Sequence, residues 1–201
     1  MKLFSIHIPK TGGTSVRTLC AKHKIDRMPL TSFHDAAIQC REKYKDEFEN
    51  RFKYTIVRNP WDRMVSVFHY YKHNWKKEGH KHISDKLPKD FKTYVLNYCK
   101  KGVDGPISEA FDYPEINQIN WITDEDGKLL VDYIIRFENL EQDTKEMFKK
   151  IGFANYENIS IPLIRKSNNR LEDYREHYDE ETKEIIKDFC DADINYFKYE
   201  F

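Results

Sequence analysis

The chain has 201 residues, and its 34 Lys and Arg balance its 34 Asp and Glu. That length fits one domain spanning 1–201 with a sizeable core, and zero net charge removes the simplest argument for a nucleic-acid partner. No run approaches the ~20 apolar residues of a membrane span, and Cys20, Cys40, Cys99 and Cys190 are too scattered for a C-x-x-C zinc pair or a disulfide framework. With no signal-peptide pattern ahead of the first strand, the expectation is a soluble, cytoplasmic protein with free thiols.

Residues 3–8 read as a strand, because Ile6 and Ile8 alternate with His7. A loop follows, then a helix over 16–22. Residues 35–48 are helical, with Ala36, Ala37, Cys40, Tyr44 and Phe48 mostly three or four apart. A second strand covers 52–57. Residues 59–75 form a strong helix. Asn59 is its cap, Pro60 suits the first helical position and Asp62 can reach back. Trp61, Met64, Val65, Phe68, Tyr71 and Trp75 make its buried stripe. Residues 76–88 are polar, 91–100 helical, and 102–114, with two glycines and two prolines, a loop. Residues 116–121 fit neither period, and Asp124 to Gly127 is a turn. The third strand, 129–137, is a near-continuous apolar run and is expected to be buried on both faces. Asn139 caps a helix to Ile151. Asp179 opens the last helix, with Ile185, Ile186 and Phe189 facing inward, and Phe197, Tyr199 and Phe201 dock the tail. Strands separated by helices predict an α/β fold with a mainly parallel sheet and right-handed crossovers.

Two stretches carry chemistry. The first is Pro9-Lys10-Thr11-Gly12-Gly13-Thr14-Ser15. Gly12 and Gly13 let the backbone turn with its N–H groups inward. The helix that follows adds partial positive charge, Lys10 adds a full one, and Thr11, Thr14 and Ser15 add donors. Such a loop suits a phosphate-like oxyanion, although a glycine-rich turn with no ligand shares the composition. It is not a Walker A loop, because the lysine precedes both glycines. The second stretch is Tyr54-Thr-Ile-Val-Arg58-Asn-Pro-Trp-Asp-Arg63-Met-Val-Ser66. Arg58 falls where a strand ends and a helix begins, the edge at which open α/β sheets bind ligands. Its planar fork suits a phosphate, and Ser66 lies two turns further on. Arg58 paired with an acid such as Glu138, and Ser66 facing solvent, is the other reading of that stretch.

Together the two stretches resemble the sulfotransferases that use 3′-phosphoadenosine 5′-phosphosulfate (PAPS). The nearest likeness is to the group of carbohydrate O-sulfotransferases and their soluble bacterial relatives. The resemblance extends to Asp132-Tyr-Ile-Ile-Arg-Phe-Glu-Asn-Leu140, to Tyr174-Arg-Glu-His-Tyr-Asp-Glu-Glu-Thr182, and to Asp193-Ile-Asn-Tyr-Phe-Lys-Tyr-Glu-Phe201. It implies a P-loop-like three-layer fold, a central mainly parallel sheet flanked by helices. It implies that Lys10, Thr11, Gly12, Gly13, Thr14 and Ser15 hold the 5′-phosphosulfate, and that Arg58 and Ser66 hold the 3′-phosphate. The reaction implied is in-line sulfuryl transfer to an acceptor hydroxyl, with Lys10 stabilising the leaving group and no metal required. His34 is the candidate base, since imidazole titrates near neutrality; a helix-start residue touching only water or Asp35 is the alternative.

His7 reads as core or support for the loop. His23 and His177 read as surface residues. His69, His73, His80 and His82 lie on or after the 59–75 helix; the i, i+4 spacing of His69 and His73 has no evident third metal ligand, and a solvated face is expected. Residues 72–101 hold nine lysines against three acids, and 171–201 hold eleven acids against four bases. The basic stretch, with Lys76, Lys77 and Lys81, either lines a cleft for a glycan or sugar-containing acceptor or forms a solvated surface. Glu138 is expected to pair with a loop cation, since the Walker A lysine position is absent; a P-loop nucleotide kinase, with Glu138 on a metal, and a non-catalytic nucleotide-binding module are the competing readings.

Overall fold

The computed structural model describes residues 2–27, 35–74, 87–100, 116–162 and 172–201. In chain order its elements are β1 (Lys2–Ile6), α1 (Gly13–Lys22), β2 (Asp26–Arg27), α2 (Ala37–Glu49), β3 (Phe52–Val57), α3 (Pro60–His69), α4 (Phe91–Tyr98), β4 (Tyr133–Arg136), α5 (Leu140–Lys150), α6 (Glu180–Phe189) and α7 (Asp191–Phe197). They fall into two compact units, Met1–Arg58 with Pro114–Arg165, and Asn59–Tyr113 with Lys166–Phe201.

The first unit is built on one sheet of order β2-β1-β3-β4, all parallel. Strand alternation sends neighbouring side chains to opposite faces. Leu3 joins Val16, Leu19 and Cys20 of α1 and Met147 and Phe148 of α5 in one buried cluster. Phe4 turns the other way, onto Phe48 and Tyr44 of α2, with ring centroids 5.2 and 5.8 Å away. Helices therefore cover both faces, the expected three layers. Each large aliphatic or aromatic side chain buried in this way contributes roughly 1.5–3 kcal/mol. α2 bends at Lys45, where φ is 31°.

Burial on both faces belongs to β3, not to the third predicted strand. Tyr54, Thr55, Ile56 and Val57 are all buried, because β3 is an interior strand. β4 is the edge of the described sheet, only four residues long, with Ile135 alone fully buried. The residues before it turn aside. Leu129 bridges Thr123 in antiparallel fashion, and the Leu130 amide donates to the Ile122 carbonyl at 2.8 Å. Asp132 then starts the pairing: its carboxylate accepts from the Lys53 amide at 2.7 Å, and its own amide donates to the Lys53 carbonyl at 2.8 Å. The two-residue β2 has no counterpart among the predicted elements.

In the second unit, every residue of α3 is buried. The Asn59 side chain accepts from the Trp61 amide at 3.1 Å, the expected cap. α3 ends at His69 and widens into a π turn over Tyr70–Asn74; Trp75 lies outside the described residues. Phe68 packs on Phe91 and Tyr94 of α4. The predicted last helix is two helices, α6 and α7, meeting at Cys190. Ile186 is buried, while Ile185 and Phe189 are half-buried. The tail docks as expected: Phe197 and Tyr199 are buried, and the Phe201 ring lies edge-on to Trp61 at 5.5 Å and to Tyr178 at 5.5 Å. The lysine-rich and acid-rich stretches meet here. Lys92 pairs with Asp179 at 2.6 Å and Glu181 at 3.4 Å, and Lys72 donates to the Leu87 carbonyl at 2.8 Å.

Candidate functional site

The parallel register sets Ile6 beside Thr55 and Val57 beside Arg136. The chain therefore leaves β1, β3 and β4 at one carboxyl edge of the sheet, where α/β folds bind ligands. Three segments meet there: the 9–15 loop, Arg58 and Phe137.

The loop is closed by Thr11, whose buried hydroxyl donates to the Ile8 carbonyl at 2.8 Å. Lys10 and Gly12 flank it with φ of 67° and 90°, both left-handed. Glycine adopts that conformation freely, whereas a lysine held there costs about 1–3 kcal/mol. Gly12 is the N-cap of α1. No side-chain hydrogen bond caps the helix, and its first turn carries no acid, so its own side chains leave the positive end unneutralised. Ser15 is buried, with its amide donating to the Gly12 carbonyl at 3.0 Å, and Thr14 is half-buried beside it. Neither glycine has room for a side chain. A Cβ on Gly12 would stand 2.9 Å from Phe137 Cδ2, and one on Gly13 would stand 2.7 Å from His7 Nδ1. A tight loop lying against a helix start suits an oxyanion gripped by backbone amides.

Arg58 is 4% exposed. Its Nη1 donates to the Lys10 carbonyl at 3.0 Å, and its guanidinium carbon lies 3.9 Å from the centroid of the Phe137 ring. Its backbone is clamped by a fully buried side chain. The Arg58 amide donates to Gln118 Oε1 at 2.9 Å, and Gln118 Nε2 donates to the Arg58 carbonyl at 2.8 Å. Gln118 and Phe137 were not singled out in the sequence. The sole signal at Gln118 is an amide among Ile116, Ile119, Trp121 and Ile122, in a stretch that forms a short 3₁₀ helix over Gln118–Trp121.

Of the other predicted residues, Ser66 is buried in α3 of the second unit. His34 lies outside the described residues, as do Lys76, Lys77, His80, Lys81 and His82. Asp35 pairs with Lys43 at 2.7 Å. His7 is half-buried beside Gly13, matching its reading as support for the loop. His69 is buried rather than on the expected solvated face, because every residue of α3 packs inward, and it meets His177 ring to ring at 4.9 Å, so His177 belongs to an aromatic cluster and not to an open charged surface. Glu138 is exposed in the 3₁₀ turn Phe137–Asn139. Among the described residues no group of three or more His, Cys, Asp or Glu side chains is arranged to hold a metal ion. All four cysteines are free and buried. Burial pushes the Cys20 thiol up to about 11 and the Cys40 thiol up to about 12. No helix among the described residues is long and apolar enough to cross a membrane.

Known proteins resemble this chain in three ways. A model of the sulfotransferase family matches residues 1–200. An uncharacterized protein of Archaeoglobus fulgidus is 27% identical over 128 residues, which cover 63% of this chain and 88% of that protein. A crystal structure of a mouse sulfotransferase complexed with PAP aligns over 100% of this chain and 67% of its own, at 15% identity and a TM-score of 0.42. The family match takes in the loop, the end of β3 and Phe137 alike, and on that match the chain belongs to the sulfotransferase family.

Proposed function

We propose that the enzyme moves the sulfuryl group of PAPS to a hydroxyl of a carbohydrate or sugar-containing acceptor, with Lys10 and Arg58 as the cations at the two ends of the nucleotide. The observation that carries this reading is the hydrogen bond from Arg58 Nη1 to the Lys10 carbonyl, beside the start of α1. It ties a cation at the end of β3 to the glycine loop after β1. The loop from Lys10 to Ser15 would cradle the 5′-phosphosulfate, and Arg58 would meet the 3′-phosphate in a planar, charge-assisted contact. The sequence resemblance adds Ser66 as a hydroxyl for the 3′-phosphate.

In the reaction, the bond between sulfur and the bridging phosphate oxygen breaks as a bond to the acceptor oxygen forms. Negative charge grows on the bridging oxygen as the nucleotide leaves, and the Lys10 ammonium neutralises it. Amides fixed by Gly12 and Gly13 do the same without reorganising. His34 would take the acceptor's proton. The kinase reading lacks its lysine after the second glycine and is set aside by the family match. Buried, free thiols support a reducing compartment, the cytoplasm.

The test is transfer of labelled sulfate from PAPS to a panel of sugars, polysaccharides, and non-sugar alcohols and phenols. Wild type is expected to label at least one. Lys10→Ala should lose about 10²–10³-fold in kcat, the usual loss for a group that stabilises developing charge. His34→Ala should lose about 10²–10⁴-fold. Full activity in Lys10→Ala would remove it from the reaction, and labelling confined to non-sugar hydroxyls would refute the carbohydrate acceptor.

A further inference from the structure

We infer that Gln118 is a positioning residue for nucleotide recognition, aiming the Arg58 guanidinium at the 3′-phosphate. The inference rests on the reading that Arg58 and Lys10 hold the two ends of the nucleotide. The ladder between β3 and β4 ends at the pair Val57 and Arg136, so Arg58 lies one residue beyond it. Its backbone groups are nevertheless bonded, because the Gln118 amide acts as one more rung, accepting at 2.9 Å and donating at 2.8 Å. A carboxamide is the side chain that can accept and donate at once in this way. Both partners are buried, so water cannot replace it.

The clamp fixes the direction in which the Arg58 side chain leaves the sheet. That side chain crosses the Phe137 ring at 3.9 Å and ends on the Lys10 carbonyl at 3.0 Å. Lys10 needs holding, since its φ of 67° is a conformation a lysine does not choose unaided. Gln118 and Arg58 thus form a relay whose last member meets the 3′-phosphate, with the Lys10 carbonyl as its brace. Gln118 touches neither reactant in this scheme.

Gln118→Leu keeps the approximate volume and removes both bonds. Its effect should appear as lost preference for adenosine 3′,5′-bisphosphate over AMP, about tenfold, the size of one charge-supporting hydrogen-bond pair. In an Arg58→Ala background the same substitution should change that preference by less than about twofold, because the guanidinium that the clamp aims is gone while the clamped backbone remains. A purely structural role predicts a lower melting temperature with the preference intact, or equal effects in both backgrounds, and either result overturns the inference. Gln118→Glu keeps the acceptor for the Arg58 amide and faces a carboxylate oxygen to the Arg58 carbonyl, so it should lose preference in the same direction. If neither variant folds, the side-chain amide NMR signals of Gln118 in the wild type decide. They should shift on adding the bisphosphate and move little with AMP, and identical responses to the two overturn the relay. A wild type that itself shows no preference for the bisphosphate overturns the parent reading of the site. A wild type that prefers it, with Gln118→Leu unaltered, overturns the relay alone.

Discussion

A methyl group added at Gly13 would press on His7 Nδ1, and one at Gly12 would press on Phe137 in a backbone with φ of +90°. Gly12→Ala and Gly13→Ala are each expected to lose about 1–3 kcal/mol of stability, together with affinity for adenosine 3′,5′-bisphosphate. The two differ in cause. Combining Gly13→Ala with His7→Ala should restore much of the loss, whereas shaving Phe137 cannot relieve the left-handed backbone at Gly12. Thermal unfolding and calorimetry on the single and double variants check this, and equal rescue at both positions would contradict it. The tight turn at these glycines was legible in the sequence because it is local, with lysine, two glycines and three hydroxyls inside seven residues. Gln118 was not legible. It acts on Arg58, 60 positions away in the chain, and nothing in its own neighbourhood announces that pairing.

α6 begins with a reciprocal cap. The Thr182 amide donates to Asp179 Oδ1 at 2.9 Å, and the Asp179 amide donates to Thr182 Oγ1 at 3.0 Å. Asp179→Ala should cost about 1 kcal/mol. The Lys92 ammonium bonded to Asp179, and then the Thr182 amide, hold that carboxyl well below the usual carboxylate range. A depressed folded pKa stabilises fully above the unfolded value of about 4 and loses that effect as pH falls through the folded value. Asp179→Asn keeps a capping oxygen and loses the charge. The difference in melting temperature between wild type and Asp179→Asn should therefore hold steady from neutral pH to about 5 and shrink below about 4. A difference independent of pH would show that the Lys92 pair contributes nothing. Caps of this kind could be read from sequence because they occupy a few consecutive residues, and the caps at Asn59 and Asp179 fell where expected, whereas Asn139 takes the N-cap position of α5 with no side-chain cap hydrogen bond. Strand burial was harder. The 129–137 run is apolar enough for an interior strand, yet Leu129 and Leu130 are diverted to Thr123 and Ile122, and β4 is left short at the sheet edge. Which strand lies inside is decided by pairing order, and composition does not carry that order.

Over the whole molecule, the four cysteines report on integrity. All are buried, and burial raises the thiol pKa values of Cys20, Cys40 and Cys99. At pH 8 the native protein should not react with a thiol reagent such as Ellman's, and four equivalents should react once denaturant unfolds the chain. Fast labelling of the native protein would contradict the packing described. The alternation of strands and helices made the sheet class legible, and the family match over residues 1–200 agrees with motifs spread along nearly the whole chain. The acceptor was not legible, because a run of lysines is a general cationic pattern that does not specify one hydroxyl compound over another. The central claim is that one nucleotide is held at both phosphates, by the Lys10 loop and by Arg58. Calorimetric titration of the wild type and Arg58→Ala with adenosine 3′,5′-bisphosphate and with AMP tests it most directly. Wild type should bind the bisphosphate at least about tenfold tighter, the worth of one charge-assisted phosphate contact, and Arg58→Ala should close that gap. Equal affinity of the wild type for the two nucleotides would contradict the account.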